Sequence, residues 1–262
     1  MKKYVATILS AGLFIASHAQ SLEIGARGGV SSFWLLNSAE SNTPKSESKT
    51  FSLSYNGGLH LAYDITDQVG IETNFLYASL NQTYSGSFQK GGMLPDGGIY
   101  LSGQSYTSKI NMTAYQIPLL LCLETATGSF VELGAEYDMI QTADYSGNYS
   151  NPNSTNNFNA SNAFAKSNIS GVFGVGGKYS INDYIFILTD FRITYGFTDI
   201  QGVDGLGQHY NSTPYYTDIK PTNTLTGSFN LGIFCLIPTA PDYRVGHKCH
   251  GTPKVRSGNH HS

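Results

Sequence analysis

Between Phe51 and Asp64 the chain alternates. Phe51, Leu53, Tyr55, Gly57, Leu59, Leu61 and Tyr63 form one face, and Ser52, Ser54, Asn56, Gly58, His60, Ala62 and Asp64 form the other. A period of two belongs to a β-strand. Strands of soluble sheets run to about 5–6 residues. A run roughly twice that long, greasy on one face and polar and glycine-rich on the other, predicts a strand with lipid outside it and a polar interior behind it.

The same alternation recurs in seven further segments. The expected strands span 22–33, 50–64, 69–80, 107–124, 129–142, 168–181, 184–197 and 224–237. In the first, Leu22, Ile24, Ala26, Gly28 and Val30 face out, and Glu23, Arg27 and Ser31 face in. In the fifth, Val131, Leu133, Ala135, Tyr137 and Met139 face out against Glu132, Gly134, Glu136 and Asp138. In the seventh, Ile185, Ile187, Phe191, Ile193, Tyr195 and Phe197 oppose Asp190, Arg192 and Gly196.

The links alternate as well. Those at 65–68, 125–128 and 182–183 are short, whereas 34–49, 81–106, 143–167 and 198–223 are long and polar. Short turns at one end and long loops at the other are the connectivity of outer-membrane barrels. Aromatics near the expected strand ends (Tyr63, Tyr184, Phe33, Trp34, Phe51, Tyr84, Tyr106) predict interfacial girdles. The fold class is therefore all-β, an eight-stranded antiparallel transmembrane β-barrel, with both barrel ends on the short-turn, periplasmic side. A soluble β-sandwich or lipocalin-like barrel would bury the apolar face, but needs neither near-bilayer-spanning strands nor such lopsided links.

Composition agrees. Only 13 % of residues are charged, against about 25 % in a soluble domain. No segment supplies the 18 or more apolar residues of a membrane helix; the run Ile117–Leu123 is short and contains Pro118. The net charge of −3 selects no partner, and no basic patch points to nucleic acid. At the start, Lys2 and Lys3 precede an apolar stretch from Val5 to Ala16, and Ser17-His18-Ala19 ends in small residues. That pattern predicts an export signal over 1–19, cleaved near Gln20. The expected organisation is signal 1–19, barrel 20–237, and a basic, disordered periplasmic tail over 238–262.

Eight strands enclose a lumen just wide enough for side chains to fill it. The inward set carries both signs, and desolvated charges must pair or cost several kcal/mol each. The expected lumen network joins Arg27, Glu72, Glu136, Lys178, Asp190 and Arg192, with Glu132 and Asp138 as further acceptors. Such a network either fills and rigidifies the lumen or gates a narrow ion path. Eight strands favour filling, because water-filled pores are built from 16 or more.

Other chemistry is sparse. His60, beside Asp64, is the only histidine on an expected strand; His209 lies in the last long link with no nucleophile tied to it. No catalytic site is expected. Cys122 points inward and Cys235 outward, so the three cysteines, with Cys249, form no disulfide framework. His247, Cys249 and His250 fit no standard zinc spacing, so neither a metal nor another cofactor is expected. The Asn-, Ser- and Tyr-rich stretch 145–164 and the Gly-, Ser- and Tyr-rich stretch 81–106 have the composition of flexible loops or of surfaces that bind glycans or proteins.

Several stretches resemble a known family. TAYQIPLLLCLE at 113–124, FVELGAEYDMI at 130–140 and GVFGVGGKYSINDYIFILTDFRITYGFTDI at 171–200 are similar to strands of the Bacteroidota outer-membrane β-barrel family of PorT-like proteins. LEIGARGGVSSFW at the start and GSFNLGIFCLI at the end also fit, while the second long link and the basic tail depart from the pattern. The resemblance implies an eight-stranded outer-membrane barrel without enzymatic activity, and for some members a part in protein export by the type IX secretion system. The expected function is thus a non-enzymatic barrel with a filled lumen and a structural or interaction role. A small-solute or ion channel is the alternative. The expected partners are outer-membrane lipid around a monomeric barrel and a periplasmic or extracellular protein, not nucleic acid.

Overall fold

Each alternating segment becomes a strand whose two neighbours are also alternating segments, so the sheet has nowhere to stop and closes on itself. The computed structural model of the chain describes residues 21–37, 47–87, 92–93, 99–100, 102–149, 155–201 and 221–238. The expected signal at 1–19, His209, and all but Pro238 of the expected tail, with His247, Cys249 and His250, lie outside the described residues. Eight long strands build the wall: β1 (Ser21–Asn37), β2 (Leu53–Asp64), β3 (Val69–Ser87), β4 (Ser105–Glu124), β5 (Ser129–Tyr149), β6 (Ser167–Ser180), β7 (Ile185–Gly196) and β8 (Thr222–Pro238). Each pairs antiparallel with the next, and β8 pairs with β1 from Ser21↔Pro238 to Asn37↔Thr222.

The registers fix the barrel's shape. Partners followed once around the ring, from Gly177 through Thr189, Leu231, Gly28, Gly57, Tyr77, Tyr115 and Met139, lead back to β6 at Ser167, ten residues from the start. With a rise of about 3.3 Å per residue and strands about 4.8 Å apart, that stagger over eight strands tilts them by about 40°. Membrane barrels tilt by roughly 35–45°.

The outer face is apolar where lipid would lie. Leu59, Leu119, Leu133, Ile169, Phe173, Phe191, Leu231 and Ile233 are all exposed there. An apolar band of this extent on a water-soluble surface would be an aggregation site. Tyr179 and Tyr184 edge the band at the short-turn end, and Phe51, Tyr55, Tyr77, Tyr137, Tyr195 and Phe197 edge it at the other. Along β2 the edges at Tyr63 and Tyr55 are eight residues apart, which at this tilt is about 20 Å, close to the apolar band of membrane barrels.

The short turns at one end are built by local chemistry. The Asn182 side-chain carbonyl accepts from the Tyr184 and Ile185 amides, each at 2.9 Å. Gly128 takes φ +83° in the turn between β4 and β5, a conformation that favours glycine.

At the long-link end the structure departs from the sequence-based expectation. β3 and β5 run to Ser87 and Tyr149, well beyond the expected ends near 80 and 142. Two short strands, Glu47–Thr50 and Thr155–Asn159, pair with β3 and β5 inside stretches expected to be loops. Past the lipid band the alternation continues with its polarity reversed. Lys109, Asn111 and Thr113 of β4 face outward, while Ile110, Met112 and Ala114 are buried inside. On β5 a bulge at this level leaves Gln141 without a partner across the ladder, because Thr113 pairs with Thr142 but Ala114 with Ile140. The bulge shifts the phase of the pattern, which is why a single alternation could not be read through it.

Three expected girdle aromatics lie inside instead. Phe33, Tyr84 and Tyr106 are buried, because each shares its position parity with the inward residues of its strand. Phe33 and Tyr84 join Leu35, Leu80, Ile110, Met112, Ile140 and Tyr145 in an apolar cluster in the upper lumen. Phe164 and Ile200 complete it from segments that fold over the mouth, held by the Ala165 amide donating to the Ile200 carbonyl at 3.0 Å.

Candidate functional site

The interior polar side chains come from alternate positions of strands that cross the lumen at staggered heights, so they sort into layers. Nearest the short turns, Lys178 on β6 reaches Glu23 of β1 at 2.8 Å and Glu124 of β4 at 3.0 Å. Its ammonium also stands 5.6 Å from the centre of the Phe234 ring, which stacks on Phe186. Phe130, Leu188 and Leu236 pack in the same floor.

The middle layer is ionic. Arg27 pairs with Glu72 at 2.7 Å and with Asp190. Arg192 donates to Glu72 at 2.5 Å, to both oxygens of Glu132, one at 2.8 Å, and lies 3.5 Å from Asp190. Amides complete the layer: Asn74 donates to Glu72 at 2.8 Å and Asn230 to Asp190 at 2.9 Å. Gly174 makes room for it, since a Cβ there would stand 2.2 Å from a Glu132 oxygen.

His60 joins the two layers. It bonds Asn74 at 3.0 Å, and its ring nitrogens lie 3.6 Å from Glu23 and 3.7 Å from Glu72. The expected neighbour Asp64 instead accepts from the Ser21 hydroxyl. Among the described residues no hydroxyl or thiol is hydrogen-bonded to His60.

Above the ions lies a layer of uncharged donors around two acids. Gln116 donates to Glu136 at 3.2 Å and to Asp138 at 3.1 Å, and Asn168 donates to Asp138 at 3.0 Å and to Thr224 at 3.1 Å. A cavity of ≈10 Å³ lies between these groups and the apolar cluster, lined also by Thr194, Met112, Ile140 and Ile200. That is room for about one water. Above the cavity Phe33, Leu80, Phe164 and Ile200 are packed together in the apolar cluster.

Of the network expected from sequence, the structure brings Arg27, Glu72, Glu132, Asp190 and Arg192 into one cluster and links Lys178 to it only through Glu23 and His60. Glu132, expected at the margin, sits at the centre. Glu136 and Asp138 are not joined to it by an ion pair, because they lie a layer higher on β5, where the facing side chains are amides and hydroxyls. Sequence reasoning missed Glu124 and Glu23 as the partners of Lys178, and Asn74, Gln116, Asn168 and Asn230 as the donors that complete the layers. Inward parity was the signal that could have found all of them, since each lies in phase with the inward residues of its own strand.

Glu72, Cys122 and Glu132 bring three ligand-type atoms within 4.8 Å of one another, all buried. Both carboxylates there already hold Arg192, so a fixed guanidinium stands where a metal would need charge. Cys122 is free and buried and Cys235 free and exposed.

A closed barrel with a lipid-type exterior and a charged interior is the architecture of outer-membrane β-barrels. The chain belongs to the outer membrane protein beta-barrel domain family, whose model matches residues 18–202, and membership implies the bacterial outer membrane. No match is found among curated proteins. Among solved structures the chain is similar to Neisserial surface protein A, at 10 % identity and TM-score 0.36, covering 81 % of this chain and 96 % of that one. It is also similar to OprG of Pseudomonas aeruginosa, at 12 % and 0.36 over 84 % and 98 %. The outer membrane protease OmpT of Escherichia coli is a further match, at 8 % and 0.42 over 83 % and 97 %.

Proposed function

We propose that the protein is a non-catalytic outer-membrane barrel that holds a rigid polar wall outside the bilayer as a binding surface for another protein. The observation that carries this is the reversal of polarity above the lipid band. β3, β4 and β5 continue as an ordered sheet whose inner face is packed with Met112, Ile110 and Tyr84, while Thr83, Lys109, Asn111 and Asp144 point away from the barrel. A wall that served only to span the membrane would end at the aromatic edge. In this reading the short turns and both strand termini face the periplasm, and the resemblance of 113–124 and 130–140 to PorT-like barrels favours a protein partner, such as a component of an export assembly, over a small solute. The layered lumen supports a filled wall rather than a conduit, and the surroundings of His60 support a structural histidine.

Photo-crosslinking from intact cells tests the proposal. A photoreactive residue in place of Asn111, on the outward wall, is expected to capture a discrete protein, whereas one at Leu133, in the lipid band, captures lipid. Equal patterns from both positions would refute it. A barrel that conducts would instead give stable conductance steps in a planar bilayer.

A further inference from the structure

We infer that the upper lumen holds one hard divalent cation of the calcium type, bound by Glu136, Asp138 and the side-chain carbonyl of Asn168. Charge comes first. The ionic layer below sets Arg27 and Arg192 against Glu72, Glu132 and Asp190, and Lys178 against Glu23 and Glu124. Every cation of the described lumen is therefore engaged below the Glu136 layer. Among the described residues no Lys, Arg or His lies within ion-pair distance of Glu136 or Asp138. Arg192 and Arg27 act on Glu136 only through space, since their hydrogen bonds and ion pairs go to Glu72, Glu132 and Asp190. Two buried carboxylates beneath an apolar roof carry a solvation cost that amide donors alone offset poorly.

The second observation is independent of the acids. The Oδ1 atom of Asn168, on a side chain only 2 % exposed, has no hydrogen-bond partner among the described residues. A buried carbonyl oxygen without a donor is uncommon and leaves a place for an ordered water or an ion. Asn168 lines the same ≈10 Å³ cavity as Glu136 and Asp138, with Thr194 and Thr224 beside them. Carboxylate, amide-carbonyl and hydroxyl oxygens are the ligands of Ca²⁺, which accepts irregular shells. Mg²⁺ keeps several waters and needs more room than a single water site offers. No thiol or imidazole lines the cavity, which disfavours zinc and copper.

Calcium alone is the probe. The full-length protein, folded in detergent micelles, is stripped with chelator, dialysed against radioactive Ca²⁺, and washed. Wild type is expected to retain one ion per barrel, and its unfolding midpoint in urea should rise with added Ca²⁺. Glu136→Gln with Asp138→Asn should bind on the order of 100-fold more weakly or not at all. Asn168→Ala keeps both acids and should weaken binding about 10-fold, which supplies a reading if the double variant does not fold. Glu23→Gln, in the Lys178 layer, should leave the stoichiometry unchanged. Wild-type protein that retains no ion overturns the inference, as does a double variant or an Asn168→Ala variant that binds as tightly as wild type.

Discussion

Arg192→Met tests the central claim about the lumen, that charges there are paired and not merely present. Arg192 holds Glu72 at 2.5 Å and Glu132 at 2.8 Å, with Asp190 at 3.5 Å. After the substitution Glu72 and Asp190 still have Arg27. Glu132 does not: among the described residues Arg192 is its one cationic partner within ion-pair distance, and its side chain is fully buried. Breaking a buried pair from one side costs about 3–5 kcal/mol, mostly from the charge left behind. With a urea dependence of about 2 kcal/mol per molar, the unfolding midpoint should fall by about 1.5–2.5 M. Trp34, the only tryptophan and half-buried on the outer wall, reports unfolding by fluorescence. The companion variants separate pairing from packing. Glu132→Gln alone should cost only about 1–2 kcal/mol, since Arg192 keeps Glu72. Arg192→Met with Glu132→Gln should be clearly more stable than Arg192→Met. The reasoning is refuted if Arg192→Met shifts stability by less than about 1 kcal/mol, or if the double variant is no better than the single one.

Three further outcomes follow from the same geometry. Gly174→Ala places a Cβ against the pinned Glu132 carboxylate and should destabilise the barrel by about 1–3 kcal/mol, read from the same urea transition. Leu133→Arg, in the lipid band, should cost about 2–4 kcal/mol, whereas Gln141→Arg, at the bulge above it, should cost about 0–1; equal costs would misplace the membrane edge. Purified wild-type protein in a planar bilayer should show no stable conductance steps. A conducting wild type would contradict the packing of Phe33, Phe164 and Ile200 across the lumen.

The barrel was legible because lipid imposes a strict rule. A strand that faces hydrocarbon outside and polar groups inside must alternate, and Phe51–Tyr63 or Val131–Met139 can be read residue by residue. Inward parity likewise located Arg27, Glu72, Glu132, Asp190 and Arg192. What parity cannot give is height. Whether two inward residues meet depends on the stagger of the ladder, which follows from registers spread over the whole ring. That is why inward parity groups Glu136 and Asp138 with the arginines although they stand a layer above them, and why it does not pair Glu124 with Lys178. Legibility ended at the membrane edge for a different reason. Above Tyr77 and Tyr115 water replaces lipid, the polar face moves outside, and the bulge at Gln141 changes the phase. The reversed pattern of β3 to β5 then has the composition of a loop.

That reversal also bears on what the upper lumen is for. A strand that continues beyond the bilayer gains no lipid contact, so it must bury its inner face or fray. Here the inner faces of β1, β3, β4 and β5 bury Leu35, Leu80, Tyr84, Ile110, Met112 and Tyr145 against one another and against Phe164 and Ile200. The apolar cluster is thus the core of the outer wall as well as the roof of the lumen. The two roles cannot be separated: opening the lumen would remove the packing that keeps β3 to β5 ordered outside the membrane. β6 and β7, at 14 and 12 residues, stop near the aromatic edge while β5 runs to 21. The raised wall therefore stands on one side of the mouth as an asymmetric, pre-ordered sheet.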